Sequence, residues 1–488
     1  MRSQNADLAL YQIPVSIDSL FSLEVILIPV GAKRFQQQPI KATDSGSIQT
    51  LDVVTSWLES CRSKHTKCAP LKSEMNFYPT RLVDILKSIG KACVVETKEV
   101  VQKEPYITLS HRWGIQRSVL TVDNRRQLKD GIAFQSLPKT FQDAVVVAQH
   151  LSIRYLWIDS LCIIQEGDNG QDWESECQRM GQIYANADLN ISADEACETK
   201  GLFFIRDTSL SAPLQLKMRV ESAAGFEEWT TIDADMWINE VNQSLLNQRG
   251  WVVQERALAK RVIHFCRREL FWECREISLC ESFPIEVPPP QLLNLGDSSS
   301  IRRFKLWEGS SRLADPLFPR SEALYEVWDD IIKKYSECQL TYSSDRLRAI
   351  SGVARHLKPI IHDQYIVGMW SKYLAAGLAW WIYPHRERFA FGEEPDYFAP
   401  SFSWASVKSQ INSFGPFLTG FLVDVSCMAS SSRDRTVDTT QGFTDDVFEQ
   451  TNQLKLKLRV QCVLKKVRLR KIKGVWYMAI ALPEVDKP

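Results

Sequence analysis

The chain has 488 residues, enough for several domains and a large core. Its 59 Lys and Arg balance its 59 Asp and Glu, so no net field favours nucleic acid or an anionic membrane surface. Twelve cysteines in this length are too sparse for a disulfide scaffold, the opening residues lack a secretory-signal layout, and Val25–Val30 is too short to cross a bilayer. The expectation is a cytoplasmic, reducing setting with free thiols and no membrane partner.

Residues 1–50 read as a lead-in with a polar loop. Residues 51–68 predict a short helix and its exit, with Val54, Trp57, Leu58 and Cys61 on one face. Pro79–Ile85 and Ala92–Thr97 read as two short strands. Tyr106–Ser110 reads as a strand running into the polar loop His111-Arg112-Trp113-Gly114. A helix starts at Leu137-Pro138, with Thr140 and Asp143 as a capping box and Phe141, Ala144, Val145, Ala148 and Leu151 as its buried stripe.

Leu156–Gln165 is almost continuously apolar around one carboxylate, Asp159, and predicts a strand buried on both faces. Trp173, Cys177, Met180 and Tyr184 mark the next helix, and Leu189–Ala193 a third strand. Strands alternating with helices should be parallel with right-handed crossovers. A helix starts near Arg249–Arg256, followed by a strand pair around Arg267-Arg268 with a solvated face at 267–276. Residues 284–300 read as a linker, Leu324–Trp381 as helical, and Ala399–Ser406 as the start of a β region. Residues 430–453 read as a polar stretch, and the alternation from Leu454 as a half-exposed basic edge strand.

Cys61-x3-His65-x2-Cys68 offers three zinc ligands, with Cys93 the only nearby fourth. The spacing is not that of a standard finger, so the plainer reading is a capped helix end with two buried thiols, and no metal is assigned. Cys162 sits among apolar neighbours that would raise its pKa, which reads as a core residue rather than a nucleophile. No phosphate-binding glycine loop, nucleophile elbow or zinc-protease motif is present.

The better constellation is Ser110, His111, Arg112 and Trp113 after the first strand, Asp159 and Ser160 after the second, and Ser192 and Asp194 after the third. Adjacent parallel strands would bring all three groups to one crevice, with Glu255 on a helix closing it. The plainer alternative has Asp159 capping a helix and Glu255 pairing with Arg249 or Arg256.

At these residues the chain resembles the fungal heterokaryon-incompatibility (HET) domain. Tyr106–Gly114, in which Tyr commonly replaces His111, is similar to that family's opening motif, and Leu137–Ala144 and Tyr155–Gln165 to its central block. Met180–Ala187 and Arg249–Glu255 are similar to its later blocks. The resemblance spans about 103–256, and Ser344–Gly352 and Ala399–Ser406 resemble segments found downstream in such proteins. It implies fungal self/non-self recognition (allorecognition) linked to programmed cell death.

HET domains in turn resemble TIR domains. Ser110-His-Arg-Trp-Gly, Trp157-Ile-Asp159 and Trp251-Val-Val-Gln-Glu255 follow the TIR order, with Val252 where TIR domains have Cys. Some TIR domains cleave nicotinamide from NAD with that Glu. The resemblance therefore implies Glu255 as catalytic residue, Ser110, Arg112, Trp113, Asp159, Ser160 and Trp251 as dinucleotide-binding residues, and NAD as substrate with no cofactor required. It also implies a homo-oligomer and an unidentified protein trigger.

The expected fold is α/β: a TIR-like (flavodoxin-like) parallel sheet flanked by helices, with a C-terminal mixed α+β region. The expected division is a lead-in at 1–102, the HET domain at 103–256, a β-hairpin and linker at 257–299, and the C-terminal region at 300–488. The alternative to the NAD hydrolase is a non-enzymatic module acting by self-association, or a degenerate inactive family member.

Overall fold

The structure is a computed structural model. It describes residues 11–17, 21–30, 42–69, 77–100, 104–114, 118–195, 201–211, 214–219, 226–285, 320–382 and 399–413, six single residues (38, 40, 287, 301, 304 and 305), and strand backbone at 423–430, 436–437, 455–462, 468–472 and 475–479. These fall into two units, the larger holding the described residues up to His362 together with Lys408–Ile411.

In the larger unit the first described strands are β1 (Tyr11–Ile17) and β2 (Phe21–Pro29), where the sequence suggested only a lead-in. Helix α1 (Ile48–Lys64) follows, capped by Ser47, with Val54, Trp57, Leu58 and Cys61 buried as expected. Next come the antiparallel pair β3 (Arg81–Ser88) and β4 (Lys91–Glu96), then β5 (Tyr106–Ser110) and the short β6 (Leu120–Thr121). Helix α2 (Arg125–Asp130), β7 (Ile132–Ala133) and helix α3 (Lys139–His150) lead to β8 (Tyr155–Trp157). A single turn α4 (Asp159–Cys162) and β9 (Ile164–Glu166) precede helix α5 (Gln171–Asn186) and β10 (Leu189–Ser192).

After β11 (Leu214–Arg219) and β12 (Phe226–Asp233) come helix α6 (Gly250–Leu258), β13 (Arg261–Phe265), β14 (Leu270–Cys274) and β15 (Ser278–Cys280). Helices α7 (Arg320–Ser336) and α8 (Arg348–Ile361) complete the unit's main elements.

One nine-stranded sheet runs β15-β14-β13-β10-β5-β8-β3-β4-β7. The parallel sheet expected from the sequence is its middle only: β13, β10, β5 and β8 are parallel, and the strands on either side run antiparallel. Among the four, chain order reads second, first, third, fourth across the sheet. Winding therefore reverses between β5 and β10, the position at which open α/β sheets place their ligands. A separate antiparallel sheet runs β1-β2-β12-β11.

Several local expectations change. The apolar run at 156–165 is not one strand, because β8 stops at Trp157 and the chain turns helically from Asp159. Arg81 holds that turn by donating to the Cys162 carbonyl at 2.8 Å. The capping box at Thr140 and Asp143 does not form. Pro138 stands at the cap of α3, and Asp143 instead accepts the Leu202 amide at 2.8 Å.

The face at 267–276 is not solvated throughout: every residue of β14 is buried, and so are Glu269 and Arg275. The sequence alone shows charges there but not the cations that meet them. Arg256 and Lys305 supply those to Glu273, at 2.8 and 3.2 Å.

In the smaller unit the helix expected near 369–381 is broken. Tyr365–Ile366 and Met369–Trp370 pair as a tight hairpin through Val367 and Gly368, both at positive φ. Ser403 and Trp404 fasten that turn by donating to the Val367 and Gly368 carbonyls at 2.6 and 2.8 Å. Trp404–Ser406 is a 3₁₀ turn rather than the start of a strand. The stretch from Leu454 forms the strand Lys455–Cys462, paired with Val423–Ser430. Most of 284–300 and 430–453 lies outside the described residues. Among the described residues no helix is long and apolar enough to cross a membrane.

Candidate active site

β5 is covered on both faces, so it alternates between two layers rather than between core and water. On one face it places Tyr106, Thr108 and Ser110. β10 pairs with it so that Asn190 lies beside Thr108 and Ser192 beside Ser110. A row of small polar side chains therefore runs along an otherwise apolar sheet toward the carboxyl edge. Buried polar groups need partners. Thr108 donates to Asn190 Oδ1 at 3.0 Å, and the Asn190 amide donates to Ser110 Oγ at 3.1 Å.

The row ends on Glu255. Ser110 Oγ donates to Glu255 Oε2 at 2.5 Å, and Tyr184 of α5 also hydrogen bonds the carboxylate. Glu255 is 7% exposed. Burial pushes its pKa up to about 7, against the opposing bond from Ser110, and Asp159 adds to the rise while Arg249 works against it. Tyr184 is held well above the ordinary phenol range by burial and then by Glu255.

Asp159 lies two residues past Trp157, and Trp157 pairs in register with Thr108, which brings Asp159 level with Ser110. It is half-buried. Trp113 Nε1 donates to its Oδ2 at 2.8 Å, and the Ser160 amide to its Oδ1 at 2.7 Å. His111 Nδ1 stands 3.7 Å from Oδ1. Burial lowers the His111 pKa, although Asp159 opposes it. Two buried polar atoms here, His111 Nδ1 and Ser160 Oγ, have no hydrogen-bond partner among the described residues.

The structure thus gathers Ser110, Trp113, Asp159, Ser160 and Glu255 at one edge. Arg112 is exposed on the loop beside them. Trp251, one turn before Glu255, packs edge-on against Trp173 at 6.3 Å and hydrogen bonds Asp345. Asp194 does not join this group. It is fully buried, accepts from Ser244 Oγ at 2.8 Å and Asn247 Nδ2 at 2.5 Å, and pairs with His264 at 2.9 Å.

The pairing of Glu255 with Arg249 or Arg256 is not seen either. Arg249 donates to the His111 carbonyl at 2.5 Å, and Arg256 is bidentate on Glu273 at 2.8 and 3.0 Å. Tyr184 and Asn190 are the members that sequence reasoning missed. Tyr184 was visible only as one position of an apolar stripe, and Asn190 only as an interruption of a strand.

Two carboxylates of unlike surroundings, one buried with its pKa raised to about 7 and one half-buried, beside an indole and an exposed guanidinium, suit chemistry on a polar, base-bearing ligand.

Residues 106–255 match the family model described as heterokaryon incompatibility protein (HET). No curated protein and no solved structure matches the chain. The matched segment opens on the first residue of β5 and closes on Glu255, so it takes in every residue of the group just described: the chain carries a heterokaryon incompatibility domain over residues 106–255.

Proposed function

We propose that the chain acts in fungal heterokaryon incompatibility as an effector of cell death whose HET domain hydrolyses NAD. The observation that carries this reading is the Ser110–Glu255 pair at the carboxyl edge of β5, level with Asp159. The strand order second-first-third-fourth is that of flavodoxin-like sheets, whose ligands sit at the switch point. It supports the TIR-like comparison.

In the reaction the bond between ribose C1′ and the nicotinamide nitrogen breaks. The leaving group is already cationic and departs as neutral nicotinamide without a general acid. The ribosyl centre becomes oxocarbenium-like, and ionised Glu255 stabilises it and holds a ribose hydroxyl. Water then bonds to C1′ and releases a proton, giving ADP-ribose. Arg112 meets the pyrophosphate, and Trp113, its ring anchored through Asp159, stacks on a base.

The burial of Glu255 favours a second reading, a non-enzymatic module that works by self-association, with the polar row serving as an internal brace. Nicotinamide release from NAD by the concentrated full-length protein separates the two. Glu255→Gln preserves shape and is expected to cost about 100-fold or more in rate if Glu255 is catalytic. NAD consumption unchanged by that substitution, or cell death that persists with it, overturns the enzymatic reading.

A further inference from the structure

Four metal-binding side chains converge at the other edge of the sheet, where the parallel strands begin. Cys61 and His65 are four residues apart at the end of α1 and share one helical face. The 3₁₀ turn Thr66–Cys68 brings Cys68 back toward them. The fourth is Cys274, the last residue of β14, paired in register with Arg261 at the start of β13. Their ligand atoms all lie within 4.8 Å of one another, and Cys274 Sγ is 3.4 Å from His65 Nδ1. Tetrahedral zinc with bonds of about 2.3 Å to sulfur and about 2.0 Å to nitrogen sets its ligand atoms roughly 3.5–3.8 Å apart. Cys93, the fourth ligand suggested by proximity in sequence, is not among them: its sulfur abuts Gly131.

We infer that Cys61, His65, Cys68 and Cys274 form a closed structural zinc site. The surroundings are those of thiolates rather than thiols. Arg261 Nε donates to Cys61 Sγ at 3.0 Å, and the backbone amides of Glu276 and Ile277 each donate to Cys274 Sγ at 3.4 Å. A neutral thiol is a weak acceptor, whereas a metal-bound sulfur is anionic. Three thiolates and a neutral imidazole around Zn²⁺ leave one negative charge, and the Arg261 guanidinium stands beside it. All three sulfurs are fully buried, and a disulfide between two would strand the third.

The cradle is braced on both sides. Arg261 also donates to the Cys68 carbonyl at 3.1 Å and to Asp188 at 3.0 Å, while the Lys67 amide donates to Glu276 at 2.8 Å. Such outer partners orient metal ligands. Soft sulfur and imidazole donors select zinc over magnesium or calcium, and four protein ligands leave no position for a reacting water. The ion would pin the exit of α1 to the β14–β15 turn, two segments on either side of the family match.

The test is metal and thiol analysis of the full-length protein. The expected result is one zinc per chain and all 12 cysteines free after denaturation without reductant. Cys274→Ser is expected to lose the zinc, and Cys93→Ser to keep it. Where Cys274→Ser fails to fold, His65→Cys still has four ligands. It is expected to retain one metal and, loaded with cobalt(II), to shift the visible spectrum to that of a tetrathiolate site. Arg261→Gln is expected to weaken zinc by about tenfold or more in chelator competition. Wild-type protein without zinc after dialysis against it, a disulfide within the cluster, or a folded Cys274→Ser that keeps its zinc overturns the inference.

Discussion

The hydroxyl of Ser110, at the end of β5, and the carboxylate of Glu255, on α6, 145 residues apart in the chain, meet at 2.5 Å. This bond joins the end of the central strand to the helix that closes the family segment. It also leaves a carboxyl group buried with hydroxyl partners and, among the described residues, no salt-bridged cation. Burial raises its pKa from 4.5 to about 7.

Glu255 should therefore make stability fall with pH. A group whose folded pKa exceeds its unfolded value contributes stability that is complete below the unfolded pKa, here about 4.5, and is lost as pH rises through about 7. Glu255→Gln removes the titration. Between pH 5 and pH 8 the wild type should lose roughly 2–3 kcal/mol relative to the variant, by urea denaturation at both pH values. A constant difference at the two pH values would show that Glu255 does not titrate there.

If the domain cleaves NAD as proposed, the same group sets the pH profile of that reaction. The ionised carboxylate is the active form, so the rate should rise through about pH 7 and level above it. At pH 6 it should stand about tenfold below the plateau. A rate that falls between pH 6 and pH 8 would assign the chemistry to another group.

Asp194 is expected to be among the costliest positions to truncate. Asp194→Ala strips Ser244, Asn247 and His264 of one shared acceptor in a region without water access, at a cost of about 3–5 kcal/mol in chemical denaturation. Burial lowers the His264 pKa, but Asp194 and Glu273 outweigh it and hold it above 6.5. The stability contributed by His264 is thus full below 6.5 and lost as pH rises through the raised value. Asp194→Asn should flatten that loss, and an unaltered alkaline limb in the variant would contradict it.

Gly181 of α5 and Gly352 of α8 let two helices touch backbone to backbone. A Cβ on Gly181 would lie 2.9 Å from Gly352 Cα, and one on Gly352 would lie 2.5 Å from Gln254 Oε1. Alanine ordinarily favours a helix over glycine by about 1 kcal/mol. Here the contact with fixed backbone should reverse the sign. Either substitution should destabilise by roughly 1–3 kcal/mol, read as a lowered melting temperature. A gain in melting temperature would mean that the helices slide apart freely.

The parallel core was legible because its strands and helices carry unmistakable periods. Phe141 to Leu151 mark α3, and Tyr106–Ser110 and Leu189–Ser192 mark two of the strands. On the flanks the β13–β14 hairpin around Arg267-Arg268 and the strands β3 and β4 were legible too, but the pairing of β3 with β8 was not, since it joins segments more than sixty residues apart and leaves no local trace. At the candidate site, Asp159, Ser110 and Glu255 were visible as polar residues at strand and helix ends. Asp194 looked equivalent to them, and only the partners supplied by Ser244, Asn247 and His264 turn it elsewhere. Cys274 could not be matched to Cys61, His65 and Cys68 by spacing, because two hundred residues intervene and only the pairing of β13 with β14 closes the gap.

The strand β13 lies beyond the matched segment yet flanks β10, and β3 lies before it yet flanks β8. A graft of 106–255 alone into a foreign host would expose a raw edge on each side, with rows of unanswered amides and carbonyls ready to recruit any passing strand. A transplant that keeps both edges covered has to carry β3 and β13 with it, so the stretch that folds is longer than the stretch that is recognisable.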